Sequence, residues 1–148
     1  MTKYFLLFSL FITITSSLSG KNLKLANTFS DGIVFQRDKP INIWGSATPN
    51  KSINLIFGNE TKTSQSDDAG KWTITIGPLK ASSKPRAMSV KSEGTEIKIE
   101  DILVGEVWVC GGQSNMAWTL RGSTNADIEI PAANYPEIRF LKLPNVAS

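Results

Sequence analysis

Between residues 41 and 99, apolar and polar side chains alternate with period two in a series of short runs. Ile41 and Ile43 alternate with Asn42 and Trp44, and Ile53, Leu55 and Phe57 with Asn54 and Ile56. Trp72, Ile74 and Ile76 alternate with Thr73 and Thr75; Met88 and Val90 flank Ser89; Ile97 and Ile99 flank Lys98. Successive side chains of a strand point to opposite faces, so each run predicts a strand with one face on a core. Asp31-Gly32, Thr48-Pro49-Asn50, Gly58-Asn59, Asp68-Ala69-Gly70 and Glu93-Gly94 separate the runs with turn-forming residues. Strands so closely spaced, with no helical period between them, predict an antiparallel, jelly-roll-like β-sandwich over residues 20–100. Trp44 and Trp72 are candidates for stacking on carbohydrate if exposed, and for core packing if not.

The pattern changes at Asp101. Ile102 to Cys110 is a nearly continuous apolar run, which predicts a strand buried on both faces. Gly111-Gly112 permits a sharp turn. Met116 to Leu120 reads as the start of a helix, and Asp127 to Ala133 as a short second one in which Pro131 must lie in the first turn or break it. Ile138 to Leu143 reads as another strand. Residues 101–148 thus predict the β-α-β opening of an α/β domain, one too short to cover its own apolar surface, which leads us to expect a truncated or fragmentary sequence.

At the N-terminus, Lys3 precedes the apolar stretch Tyr4 to Ile14, and small residues follow up to Gly20. This is the pattern of a secretory signal peptide over residues 1–19, with an uncleaved anchor as the alternative. The stretch is shorter than a membrane span, so no stable span is expected after cleavage. The expected location is secreted or periplasmic, or extracellular or lysosomal in a eukaryote. Asn50-Lys51-Ser52 and Asn59-Glu60-Thr61 match the glycosylation pattern, which matters only in a glycosylating pathway.

Composition narrows the chemistry. Hydrophobic residues are 41% and charged residues 20%, in the globular range. A net charge of +3 without any Lys/Arg-rich run argues against nucleic acid as a partner. There is no histidine, which excludes a self-contained Ser-His-Asp or Cys-His mechanism and any imidazole-based zinc site. Cys110, the single cysteine, reads as a small buried apolar residue. No cofactor and no metal is implied, and no pattern points to a particular oligomeric state.

Ser114, in Gly112-Gln113-Ser114-Asn115-Met116, is predicted where a strand hands over to a helix. A nucleophile there is fixed by the strand end and faces the unpaired N–H groups of the helix start, which can stabilise an oxyanion. The hydroxyl needs a base to act, and Met116 replaces the second glycine of the Gly-x-Ser-x-Gly elbow. On local chemistry alone, Ser114 could equally be a helix N-cap.

The block Val104-Gly105-Glu106-Val107-Trp108-Val109-Cys110-Gly111-Gly112-Gln113-Ser114-Asn115-Met116 closely resembles the nucleophile block of sialate O-acetylesterases, a family of SGNH-type serine hydrolases. Phe29 to Arg37, Pro40 to Gly45, Asp68 to Trp72 and Ala133 to Phe140 resemble that family's other N-terminal motifs, in the same order. The resemblance implies an esterase removing O-acetyl groups from sialic acid or a related sugar. Ser114 would be the nucleophile and its own N–H one oxyanion donor; Gly112, Gln113 and Asn115 belong to the motif without an assigned role. The family's Asp-x-x-His pair and its other oxyanion donors match no position here, so the chain alone is expected to be inactive. Two other readings stand beside this one: a carbohydrate-binding β-sandwich with a vestigial esterase segment, and an esterase acting on acetylated plant polysaccharide.

Overall fold

The computed structural model describes residues 23–142. The proposed signal peptide lies outside them. Eight strands form among the described residues: β1 (Lys24–Leu25), β2 (Val34–Gln36), β3 (Ile41–Ser46), β4 (Ser52–Phe57), β5 (Glu60–Gln65), β6 (Lys71–Ile76), β7 (Ser82–Ser92) and β8 (Thr95–Gly105). They make a three-stranded sheet, in the order β1-β3-β6, and a five-stranded sheet, in the order β2-β8-β7-β4-β5.

The alternating runs bury the faces expected of them. Ile41 and Ile43 of β3 and Trp72, Ile74 and Ile76 of β6 meet Ile53, Leu55 and Phe57 of β4 and Met88, Val90 and Ile99 of β7 and β8 in one core. Residues of both sheets share that core, so the architecture is a β-sandwich. Within it, Phe35 and Phe57 of the five-stranded sheet lie side by side, with ring centroids 5.6 Å apart. β5 has no apolar alternation; it forms because the two-residue turn Gly58-Asn59 folds Glu60–Gln65 back along β4. Gly58 at φ 58° gives this turn the backbone sign that matches strand twist.

Two expectations need correction. β2 pairs with β8 in parallel, Val34 opposite Leu103 and Gln36 opposite Gly105, so the sandwich is not wholly antiparallel. It is also not a jelly roll. That topology sends the last two strands to opposite sheets, whereas β7 and β8 form a hairpin within one sheet. The tight turn Glu93-Gly94, both residues at positive φ, leaves no length for a crossover.

Close packing is visible at Gly45, where β3 lies between β1 and the Trp72 indole. A Cβ there would overlap the Lys24 carbonyl oxygen and come within 2.8 Å of Trp72.

The segment after Asp101 departs further from expectation. Ile102, Leu103 and Val104 are buried consecutively, as a two-faced strand requires, and they belong to β8. The strand ends at Gly105, and Val107 to Cys110 are exposed coil. Instead of a helix at Met116, two short 3-10 turns form, Ser114–Ala117 and Leu120–Gly122. One α-helix follows, α1 (Ala126–Ala132), with Pro131 in its last turn. Proline has no N–H to give to the Asp127 carbonyl, so this short helix forgoes one of its bonds. The described part of Ile138 to Leu143 is coil rather than strand.

Candidate active site

The serine turn is built by local backbone contacts. Gln113 is extended, and Ser114 opens the 3-10 turn. The Met116 N–H donates to the Gln113 carbonyl at 3.0 Å and the Trp118 N–H to the Asn115 carbonyl at 3.1 Å. A Cβ on Gly112 would press on Met116 Cγ at 2.9 Å, and one on Gly122 would meet the Trp118 indole at 2.9 Å. Both glycines therefore make room for a large side chain to fold back over the loop.

Gln113, not Ser114, occupies the N-cap position of this turn, and it makes no side-chain capping bond. The N-cap reading of Ser114 is thereby corrected: the residue is the first of the turn, and its N–H is one of those a helical turn cannot satisfy internally. Gly112, Gln113, Ser114 and Asn115 lie together on one exposed loop. No described histidine or carboxylate is hydrogen-bonded to the Ser114 hydroxyl. The hydroxyl can attack an ester only when a base is brought to it. Cys110 is exposed, so its reading as a buried apolar residue is also corrected; losing strand structure at Gly105 leaves nothing to cover it.

Two sets of contacts connect this loop to the β-module. Where the chain leaves β8, Gln36 Oε1 accepts from the Val107 N–H at 2.8 Å, Gln36 Nε2 donates to Glu106 at 3.0 Å, and the Arg37 N–H donates to the Gly105 carbonyl at 2.9 Å. Beside it, Asp38 receives Arg37 Nε at 2.7 Å and Lys80 Nζ at 2.8 Å. Hydrogen bonds from Lys80 first, and then Arg37, hold the Asp38 carboxyl below the usual carboxylate range. Where the chain returns, Arg139 reaches Asp101 through Nη1 at 2.6 Å and Nη2 at 3.2 Å. This pairing lowers the Asp101 pKa and raises that of Arg139. Gln36, Asp101 and Arg139 stand in sequence stretches singled out by resemblance or by the change in pattern, yet nothing local reveals their contacts. The available signal was a glutamine ending an apolar triplet.

Trp72 is 3% exposed and belongs to the core. Trp44 is 45% exposed, on the outer face of β3, with Phe29 edge-on to its ring at 4.8 Å. Surface depressions on the β-module, one around Phe29 and Ile99 and another around Asn54 and Glu96, do not reach Ser114. Among the described residues no cluster of acidic, Cys or His side chains could hold a metal ion, and no helix is long and apolar enough to cross a membrane.

The fold matches a carbohydrate acetylesterase from Xanthomonas citri, with a TM-score of 0.71 and 35% identity, over 76% of this chain and 26% of that one. Among curated proteins, the chain has homologues in the sialate O-acetylesterases. It is 28% identical to that of Mus musculus over 94% of its length, and 27% identical to that of Homo sapiens over 84%. It spans 28% and 26% of those two relatives, about a quarter of their length. No protein-family model matches the chain.

Proposed function

We infer that the chain is the N-terminal part of an exported serine esterase that removes O-acetyl groups from sialic acid or a related sugar. The observation that carries this reading is a coincidence of two likenesses. Most of the chain aligns with a sialate O-acetylesterase in sequence, and 76% of it superposes on a carbohydrate acetylesterase in structure. Ser114 is the nucleophile. Its hydroxyl attacks the acetyl carbonyl, the sugar oxygen leaves with a proton, and water then releases acetate from the acetyl-enzyme. The Ser114 N–H, at the start of its turn, is one donor to the developing oxyanion.

The base that activates Ser114 comes from outside the 148 residues, because they contain no histidine. The chain after Gly105, where β8 leaves the sandwich, is the opening of an SGNH-type α/β domain. Trp108, Trp118, Ile128 and Phe140 are exposed, as expected of side chains that a further layer of that domain would cover. Lys3 and the apolar stretch after it support export by a cleaved signal peptide.

The test is acetate release from O-acetylated sialic acid and from acetylated xylan, by the 148-residue chain and by the protein encoded with any downstream reading frame. The short chain should release none above background, and the longer protein should lose turnover in Ser114→Ala. Retained turnover in that variant would reduce Ser114 to a structural residue. The preferred substrate separates a sialate esterase from its plant-polysaccharide counterpart. The exposed ring of Trp44 favours a second reading, sugar binding by the sandwich itself. Trp44→Ala should then weaken retention on immobilised acetylated glycans more than Trp44→Phe, which keeps an aromatic ring on the same face.

A further inference from the structure

Residues 107–138 leave the β-module beside Gln36 and return to it at Arg139, and both contacts converge on the stretch 31–37. On the outgoing side, the parallel ladder ends at the pair Gln36 and Gly105. The Gln36 carboxamide then uses both of its halves, accepting from Val107 and donating to Glu106, at 2.8 and 3.0 Å. It extends the hold of β2 beyond the last backbone pair, onto the chain that leads to Ser114.

The return side is built on an irregularity. Between the pairs Met88–Ile99 and Arg86–Ile102, β8 holds one more residue than β7, a β-bulge around Glu100 and Asp101. The bulge is held by the neighbouring loop: the Glu100 N–H donates to Asp31 Oδ1 at 2.7 Å and the Gly32 N–H to the Glu100 carbonyl at 3.1 Å. Asp101 takes φ 56°, a left-handed conformation that aspartate tolerates better than most residues. Its carboxylate faces Arg139, which binds it through both terminal nitrogens and also lies 3.4 Å from the Gly32 carbonyl. Gly32 has φ 77°, and a Cβ on it would meet Arg139 Nη1 at 3.0 Å. Arg139 Nε donates to the Pro136 carbonyl at 3.2 Å, so the same side chain shapes its own turn. A two-pronged arginine–carboxylate pair fixes direction as well as distance. From Glu106 to Lys142, all residues but Ala126 and Arg139 are exposed and none is buried, so little apolar packing holds the segment in place of these contacts.

The geometry points to Gln36 and Arg139 as positioning residues. The stretch 31–37, with the bulge of β8, is a two-point clamp that closes residues 107–138 into a loop fixed at both ends, and so sets where Ser114 stands relative to the β-module. The consequence for catalysis rests on the esterase reading; the clamp itself does not.

Amide hydrogen exchange on the 148-residue chain tests it without any activity. Gln36→Met keeps the side chain's length and removes both polar contacts. The Val107 amide should then exchange about fivefold faster, the scale of one lost hydrogen bond. The Leu103 amide, bonded to the Ile33 carbonyl at 3.1 Å, should be unchanged. Arg139→Ala should speed exchange at Ile138 similarly, and Arg139→Lys should recover part of the protection. Unchanged exchange at Val107 and Ile138 in these variants overturns the clamp. So does loss of Leu103 protection in Gln36→Met, which would make Gln36 a support of the strand rather than of the loop. Because no turnover is read, the clamp can fail while Ser114→Ala still abolishes acetate release, and the reverse.

Discussion

The β-module and the segment that follows it both carry large apolar side chains, and only the module buries them. Among the described residues, the buried apolar ones all lie at or before Val104. Up to that point the exposed large ones are Trp44 and Ile56; the others among the described residues lie at or after Val107. Trp108 is 83% exposed and Phe140 92%. Each module strand has a neighbour in its own sheet and a second sheet to pack against, so alternation alone is enough to seal the core. Among the described residues, the segment packs against no second layer. Its position depends on polar contacts at its ends rather than on a core of its own.

The sharpest way to break this contrast is to truncate one large side chain in each region. Phe57→Ala should cost about 3–5 kcal/mol of stability, the range for deleting a buried aromatic ring. Trp108→Ala should change it by about 0.5 kcal/mol or less, as at an exposed site without special contacts. Urea denaturation of the two variants decides the matter, and comparable losses would mean that the segment packs after all.

A smaller effect comes from adding a methyl group. Gly45→Ala forces a Cβ against the Lys24 carbonyl and Trp72, so it should cost about 1–3 kcal/mol, as overpacking usually does. Gly111→Ala meets nothing within 4 Å and should leave the melting temperature nearly unchanged. A stable Gly45→Ala would mean that β1 is free to move away from β3.

The smallest expected effect is on the return contact. Arg139 lowers the Asp101 pKa, chiefly through the hydrogen bonds between them. A carboxyl whose pKa is lowered by folding stabilises the folded arrangement above its ordinary value, and that contribution disappears as pH falls through the lowered one. Near neutral pH, wild type should therefore protect the amides of residues 137–141 better than Asp101→Asn does. The two should converge in acid. Both partners are partly exposed, so solvent screens the pair and the difference is modest. A gap of the same size at both pH values would show that the charge of Asp101 is not what holds the segment.

Much of the module was legible in advance. The cores of β3, β4, β6, β7 and β8 follow from alternation, and their turns from Gly58-Asn59, Asp68-Ala69-Gly70 and Glu93-Gly94. β5 was not legible, because an edge strand with one wet face and a register imposed by its hairpin needs no apolar signal. The parallel pairing of β2 was hidden too, since Val34-Phe35-Gln36 is too short to show its partner or direction. After Gly105 local signals misled. An apolar run was read as strand as far as Cys110, although burial requires a second surface that the run itself cannot provide.

For the candidate site, sequence supplied the serine and its motif, and the missing histidine supplied the strongest limit on what this polypeptide can do alone. Those are statements about which chemical groups exist, and composition decides them outright. Sequence also determined which faces of the strands turn inward, because side-chain direction follows the backbone period. Only the tertiary structure decided that Trp72 is core while Trp44 is surface. It alone brought Gln36 to Val107, and Asp101 to Arg139. Those outcomes depend on sheet order and on a one-residue bulge, and such long-range geometry leaves no trace in the spacing of neighbouring residues.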